Sequence, residues 1–391
     1  MEKLNDNFGG QAEYNAIDFV KFIMALVVVA IHTEPFHGSS ENIQVLFDTF
    51  SGLAVPFFFI SSGFLLGKRV QENNNLLPVK KQLVKILKMY IKWSVIYLPL
   101  AIYDYWSQNV TPLKATVLYF RNLFLGGMHY NSWQLWYLLS TVYGLIFLLL
   151  LLNVIKSIQL KYICVTVVAI FSLLLSYIVS LKSCPDIPCF VLVVGSIIQK
   201  TILNGRILQG LYYIPIGFFL SRSKEKNNKF MVITLFMLTL FLRYIFLGNK
   251  FLADFFLIAA SISLFEIVIR IKLDDSKVYS IMRSISTITY LIHMWVWTIF
   301  YCLIYKEKTY GIECWVFTSA FSMIISVLYY LTKSRSRKGR SKIRKQHYLS
   351  WLLVSVAASE RELSSWSQWM MLDISSWTTQ SMMRLRLVST M

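Results

Sequence analysis

Ten apolar stretches recur along this 391-residue chain, each near or above the roughly 18 residues a helix needs to cross a bilayer. They fall at about 17–35, 45–66, 89–106, 133–152, 162–181, 206–221, 230–247, 251–269, 285–305 and 312–332. In hydrocarbon every backbone N–H and C=O must be satisfied within its own segment, so a chain patterned this way folds as an all-α polytopic membrane bundle. The spacing predicts about ten transmembrane helices. With 56% hydrophobic and only 15% charged residues, the composition is too apolar for a soluble globule.

The charges then orient the bundle. Connections after the second, fourth, sixth, eighth and tenth stretches carry 24 Lys and Arg, from Lys68 to Lys345, against eight in the opposite connections. By the positive-inside rule both termini are cytoplasmic. The first stretch follows an acidic-polar leader and has no small-residue cleavage site, so it reads as a retained helix of a multi-pass plasma-membrane protein. The net charge of +19 is scattered over short loops rather than gathered on one soluble face, which argues against nucleic acid as a partner.

Two outer connections are more than loops. Thr111 to Gly126 intersperses Lys114 and Arg121 among apolar residues and predicts a short interfacial helix that could lid a cavity. Residues 182–205 suggest a re-entrant or interfacial segment. A membrane domain over 1–333 gives way to a second region, 334–391. This opens on a basic juxtamembrane run that anionic membrane lipid holds close, and continues as a Ser/Trp/Met-rich tail too short for its own core, expected to be disordered or interfacial. The five cysteines show no metal-ligand spacing, so no metal is expected; Cys184 and Cys189 are read as two unrelated thiols, with a disulfide as the lesser alternative.

Ionisable groups inside apolar stretches cost several kcal/mol and mark functional sites. In the first stretch Lys21 and His32 are eleven residues apart. At 100° per residue they share one helix face, about 16 Å apart along the axis. Asp18, three residues before Lys21, offers a plain alternative for that lysine as an interfacial ion pair. His32 suits a general base facing a cavity, since imidazole titrates near neutral pH. Val55-Pro56-Phe57-Phe58-Phe59-Ile60-Ser61-Ser62-Gly63 predicts a loosened or closely packed second helix, and Trp133-Gln134-Leu135-Trp136-Tyr137 opens the fourth at an aromatic belt. Arg206, Arg243, Asp254, Glu266 and His293 lie in later stretches. Polar groups from so many helices imply a shared hydrated cavity.

The Lys-x10-His of the first helix, the Pro-Phe-Phe-Phe-Ile-Ser-Ser-Gly of the second, the Leu-Trp-Tyr-Leu of the fourth and Tyr290-Leu-Ile-His293 resemble, in the same order, the acyltransferase-3 family of integral membrane proteins. The resemblance covers about residues 15–333. Within it, Val-Ala-Ile-His-Thr-Glu-Pro, Val-Pro-Phe-Phe-Phe and the stretch from Arg206 to Gly217 are most similar to the membrane domain of vancomycin-resistance serine racemases. Those proteins carry a cytoplasmic pyridoxal-phosphate domain after the last helix. Here no Lys-containing Ala-Tyr-Gly-His-like segment follows, so racemisation by this chain alone is not expected, and the tail admits a reading as a truncated or frameshifted remnant. Gln134 stands where relatives often have His, and Asn204-Gly205-Arg206 where Arg-Asn-Gly is usual.

The resemblance implies transfer of an acyl group, typically acetyl, from a cytoplasmic acyl-CoA donor to a hydroxyl of an envelope carbohydrate or lipid-linked glycan, with no bound cofactor. In that reading Lys21 holds the anionic donor, His32 takes the acceptor's proton, Arg206 or the serines Ser61 and Ser62 stabilise the oxyanion, and His293 orients the acceptor or relays the proton. Glu34, Trp136 and Tyr137 join the two serines as substrate-contacting candidates. A competing reading is uptake or delivery of serine through the same cavity, and a third is a non-catalytic anchor. The oligomeric state is left open.

Overall fold

The computed structural model describes residues 14–73, 75–183, 187–223, 228–305 and 309–335. The N-terminal leader, Cys184, Lys224, Lys226, Lys306, Lys308 and the tail beyond 335 lie outside the described residues. The chain divides into two compact units, Met1–Val327 and Leu328–Met391.

Among the described residues the architecture is all-helical, and each of the ten apolar stretches falls on a helix. In chain order these are α1 (Asn15–Thr33), α2 (Glu41–Ser51), α3 (Ala54–Asn73), α4 (Leu77–Ser107), α5 (Pro112–Arg121), α6 (Trp136–Val154), α7 (Ile158–Ser180), α8 (Cys189–Ile202), α9 (Gln209–Leu220), α10 (Lys229–Ile245), α11 (Lys250–Val268) and α12 (Lys277–Leu303). A last helix, α13 (Ile312–Arg335), follows. Among the described residues seven helical stretches are long and apolar enough to cross a membrane, and an eighth crossing results if α8 and the segment Arg206–Leu220, which meet at 51°, form one broken span. The expectation of ten differs for physical reasons. Helix α10 has only 17 residues, α9 is short and joined to α8 by the bend, and α12 is diluted by Ser, Thr, Tyr and His along its length. The interfacial helix expected over Thr111–Gly126 is α5 followed by a π-helical turn, Asn122–Gly126.

The second apolar stretch is two helices rather than one, broken at Gly52 and Leu53. The break has a cause in packing. A Cβ on Gly52 would stand 2.4 Å from Nη2 of Arg243, which reaches in from α10. There the guanidinium donates to the carbonyls of Asp48 (3.2 Å) and Thr49 (3.2 Å) at the end of α2 and of Ala253 (3.0 Å) on α11. A cation on the terminal carbonyls of a helix satisfies groups that have no intrahelical partner.

Small residues set the closest crossings. A Cβ on Gly63 would lie 2.0 Å from the carbonyl oxygen of Ile214, and one on Gly217 would lie 2.0 Å from that of Ile60, so α3 and α9 meet backbone to backbone. Gly144 and Gly210 do the same for α6 and α9, where Ser140 Oγ also accepts from the Gly210 N–H at 2.9 Å. Without a hydrophobic drive between helices in lipid, such close approach supplies the packing. It resolves the choice left open for the Ser-Ser-Gly segment in favour of close packing. Phe57, Phe59, Tyr213, Phe218 and Phe265, all fully buried, fill the core beside it.

Candidate active site

Helix α1 ends at Thr33 because Glu34 adopts a left-handed conformation (φ 42°, ψ 64°), with its N–H on the Ala30 carbonyl. A non-glycine residue there is uncommon and stores local strain, a recurrent mark of functional sites. The stop leaves His32 in the last turn, facing a cavity of about 650 Å³. His32, Glu34, Trp136 and Arg206 all line this cavity. So do Asp48, Gln134, Gln209, Arg243 and Asp254, bringing together α1, α2, α6, α10 and α11 with the turn leading into α9. A polar cavity shared by several helices is therefore present and takes in Arg206, Arg243 and Asp254, whereas His293 does not line it and Glu266 belongs elsewhere, ion-paired to Arg270 at 3.0 Å.

Among the described residues His32 has no hydrogen-bond partner, so both ring nitrogens are open to a ligand. Its ring is held by stacking instead, on His293 of α12 (centroids 5.3 Å apart, 25° between planes) and against Trp133 (5.7 Å). His293 is fully buried, and its Nδ1 lies 2.8 Å from the Tyr290 carbonyl and 3.3 Å from that of Thr289. Carbonyls only accept, so Nδ1 carries the proton and Nε2 the lone pair. That Nε2 is buried without a partner. Two imidazoles with uncommitted lone pairs thus sit face to face beside the cavity.

Gln134 ties this corner together. Its Nε2 donates to the Tyr97 hydroxyl (2.8 Å) and the Leu291 carbonyl (3.1 Å), its own backbone carbonyl accepts from Tyr290 (2.8 Å), and its Oε1 is buried and unpartnered. Gln134 thus lines the cavity while keeping a buried acceptor without a partner. Glu34 pairs with His37 at 3.0 Å, and both line the same cavity.

The remaining candidates lie away from the cavity. The Ser61 and Ser62 hydroxyls both donate to the Phe58 carbonyl of their own helix, at 3.0 and 2.7 Å, so their protons are spent on backbone. Tyr137 packs on Phe59 (4.6 Å) and Tyr290 (5.6 Å). Lys21, at the opposite end of α1, has no ion pair among the described residues. The plain alternative of an Asp18–Lys21 pair is replaced by another partner: buried Asp18 accepts Nε of Arg283 on α12 at 2.8 Å to each oxygen, and a third bond from Nη2. Arg69 and Lys85 lie within electrostatic reach of Lys21, and they line a groove of about 340 Å³ with Lys81.

Sequence reasoning missed Trp133 as the ring beside His32, choosing Trp136 and Tyr137 from the same cluster. It also did not place Asp48, Gln209 or His129. Arg243 and Asp254 carried the signal that mattered, a charge within an apolar stretch.

The chain matches an acyltransferase domain family over residues 14–332, nearly the whole of the described structure. It belongs to that family. Further matches are partial. An "Amino-acid racemase" of Enterococcus faecalis is 35% identical over 144 residues, covering 36% of this chain and 20% of the relative. A second protein of that name and organism is 32% identical over 34% of this chain and 17% of its own length. A "Serine/alanine racemase" of Enterococcus gallinarum is 31% identical over 30% and 17%. The matches span a fifth or less of these relatives' length. No solved structure matches. The family supports membrane acyltransferase activity in general terms, and the partial matches accord with the resemblance to the membrane domain of such racemases.

Proposed function

We propose that this acyltransferase moves an acyl group, acetyl in the simplest case, from cytoplasmic acyl-CoA to a hydroxyl of an envelope carbohydrate or lipid-linked glycan. It does so from a multi-pass plasma-membrane bundle with both termini cytoplasmic. The observation that carries the reading is His32, a base with no hydrogen-bond partner among the described residues, which shares a cavity with the Arg206 guanidinium. The acceptor hydroxyl gives its proton to His32 as its oxygen attacks the thioester carbonyl. Arg206 faces the oxyanion, the C–S bond then breaks, and the imidazolium returns the proton to the departing thiolate. His293, with its lone pair on Nε2, backs His32 and sets its ring orientation. Lys21 and its neighbouring cations hold the donor's phosphates at the other end of α1, leaving about 16 Å for the thioester arm to span.

The deciding experiment is single-turnover transfer from radiolabelled acetyl-CoA by purified protein in lipid nanodiscs. Donor consumption that disappears in His32→Ala, with insertion and thermal stability retained, supports the mechanism; unchanged consumption in that variant sinks it.

A second reading, passage of serine, is favoured by the names of the partial relatives and by carboxylates and guanidinia together in one cavity, a set that suits a zwitterion. Cellular uptake of labelled serine separates the two, because a transferase alone does not raise it.

A further inference from the structure

A second pocket, of about 360 Å³, lies beside the first at the same end of the bundle, between the end of α4 and the α5 connection. Trp133 lines it, and the same indole packs on His32, so a single ring separates this pocket from the proposed base.

The connection is built tightly here. After the π-helical turn, Gly127 (φ 72°) doubles the chain back so closely that a Cβ would meet the Trp136 backbone at 2.8 Å. Fully buried Ser132 then closes a turn on His129, accepting its N–H at 2.8 Å and donating to its carbonyl at 3.2 Å. That turn fixes the His129 backbone and leaves the ring uncommitted. The imidazole is only 6% exposed, stacks on Tyr119 (4.2 Å, 14°), and has neither ring nitrogen hydrogen-bonded. A buried polar group without a partner is costly and calls for a ligand or water. Burial pushes the His129 pKa down to about 4, so the ring is neutral, with one donor and one acceptor to offer.

Around it the pocket offers further uncommitted capacity with balanced charge. Asp104 accepts from Gln108 through Oδ1 at 2.7 Å, leaving Oδ2 available, and Arg121 uses Nε and Nη2 on Asn122, leaving Nη1. One carboxylate, one guanidinium, amides, a neutral imidazole and an indole face, with no net charge, match a neutral polyhydroxylated ligand. Hydroxyls both donate and accept, and the C–H face of a sugar ring lies on an aromatic plane. A phosphate would demand excess cation, and a hydrocarbon chain would strand the polar groups.

We propose that this pocket is the carbohydrate subsite of the acceptor: a neutral sugar unit binds between His129 and Asp104 with one face on Trp133, and the neighbouring hydroxyl passes that indole to reach His32. This rests on the acyl-transfer reading for its purpose, but binding can be measured without a donor.

Saturation-transfer NMR on the full chain in nanodiscs, with no acyl-CoA, uses as probes trisaccharides of glucose, galactose, mannose and N-acetylglucosamine, with L-serine as the contrasting ligand. At least one trisaccharide is expected to bind wild type and His32→Gln alike, and to bind at least tenfold more weakly to His129→Phe, which keeps the stack on Tyr119, and to Asp104→Asn. Thermal melting checks each variant; should His129→Phe not fold, Asp104→Asn decides alone. The proposal is overturned if no trisaccharide binds wild type, if a folded pocket variant keeps wild-type affinity, or if serine binds in their place. A protein that binds sugar here yet never consumes acyl-CoA refutes the transfer reading and leaves this subsite standing. An active transferase with normal binding in the pocket variants refutes the subsite alone.

Discussion

Helix α1 ends in two different chemistries. At one end His32 stands beside a second buried imidazole and a wall of mixed charge, with lone pairs uncommitted and hydrogen-bond partners withheld. At the other end Asp18, the only carboxylate within the helix, is bonded by Arg283 while still facing Lys21, and Arg69 and Lys85 complete a surround in which cations outnumber the carboxylate. The first end suits proton exchange, where a neutral base must meet a transient donor. The second suits holding a polyanion, where fixed positive charge is useful and titration is not. One rigid helix thereby keeps a proton-transfer group and a charge-binding group on one face at constant separation.

Breaking either end should leave different signatures. His32→Ala is expected to lower single-turnover acyl transfer by roughly 10²–10⁴, the usual worth of a general base, with little change in donor affinity. Arg206→Gln should cost about 10²–10³ in the same assay, as for loss of an oxyanion donor, again in the rate of transfer. Lys21→Met belongs to the other class: a charge-assisted contact is worth about 1.5–3 kcal/mol, so the donor KM should rise tenfold or more while the saturated rate holds. If Lys21→Met instead lowers the saturated rate and spares KM, the division between the two ends fails.

Two smaller effects test the frame on which both ends rest. Gly63→Ala forces a methyl onto the Ile214 carbonyl and should cost about 1–3 kcal/mol in thermal unfolding, lowering transfer and donor binding together. The other is a pH effect at His129. Its folded pKa, pushed down to about 4 from 6.5, means that the unfolded chain binds the extra proton first. Stability should therefore fall as pH drops from about 6.5 towards 4, and His129→Phe should flatten that slope in melting curves.

The helices were legible because apolar length is a direct physical requirement of the bilayer, and the expected stretches fall on helices, the second on two. The break between α2 and α3 was not. Gly52 alone does not announce it, since its cause is a guanidinium arriving from almost two hundred residues downstream. In the site, His32 and Arg206 stood out as charges or bases in apolar surroundings, and the fold places them on one cavity. Ser61 and Ser62 looked equally suitable, but a helical hydroxyl has its own i−3 or i−4 carbonyl within reach, and no sequence pattern says whether it is taken. Trp133 and His129 depend on the path of an irregular connection, where periodicity carries no information.

The glycine contacts fix more than stability. Helix α9 is locked against α3 and α6 by backbone, with no flexible side chain between them to absorb a displacement, and Arg206 stands just ahead of it. His32 rides instead on α1, whose principal neighbour is α12. The guanidinium thus stands on the trio locked by backbone contacts, and the imidazole on α1, which packs on both α12 and α3. The distance between guanidinium and imidazole is therefore set by how α1 seats on α3 and α12, so a substitution at that contact reaches the cavity without touching its lining.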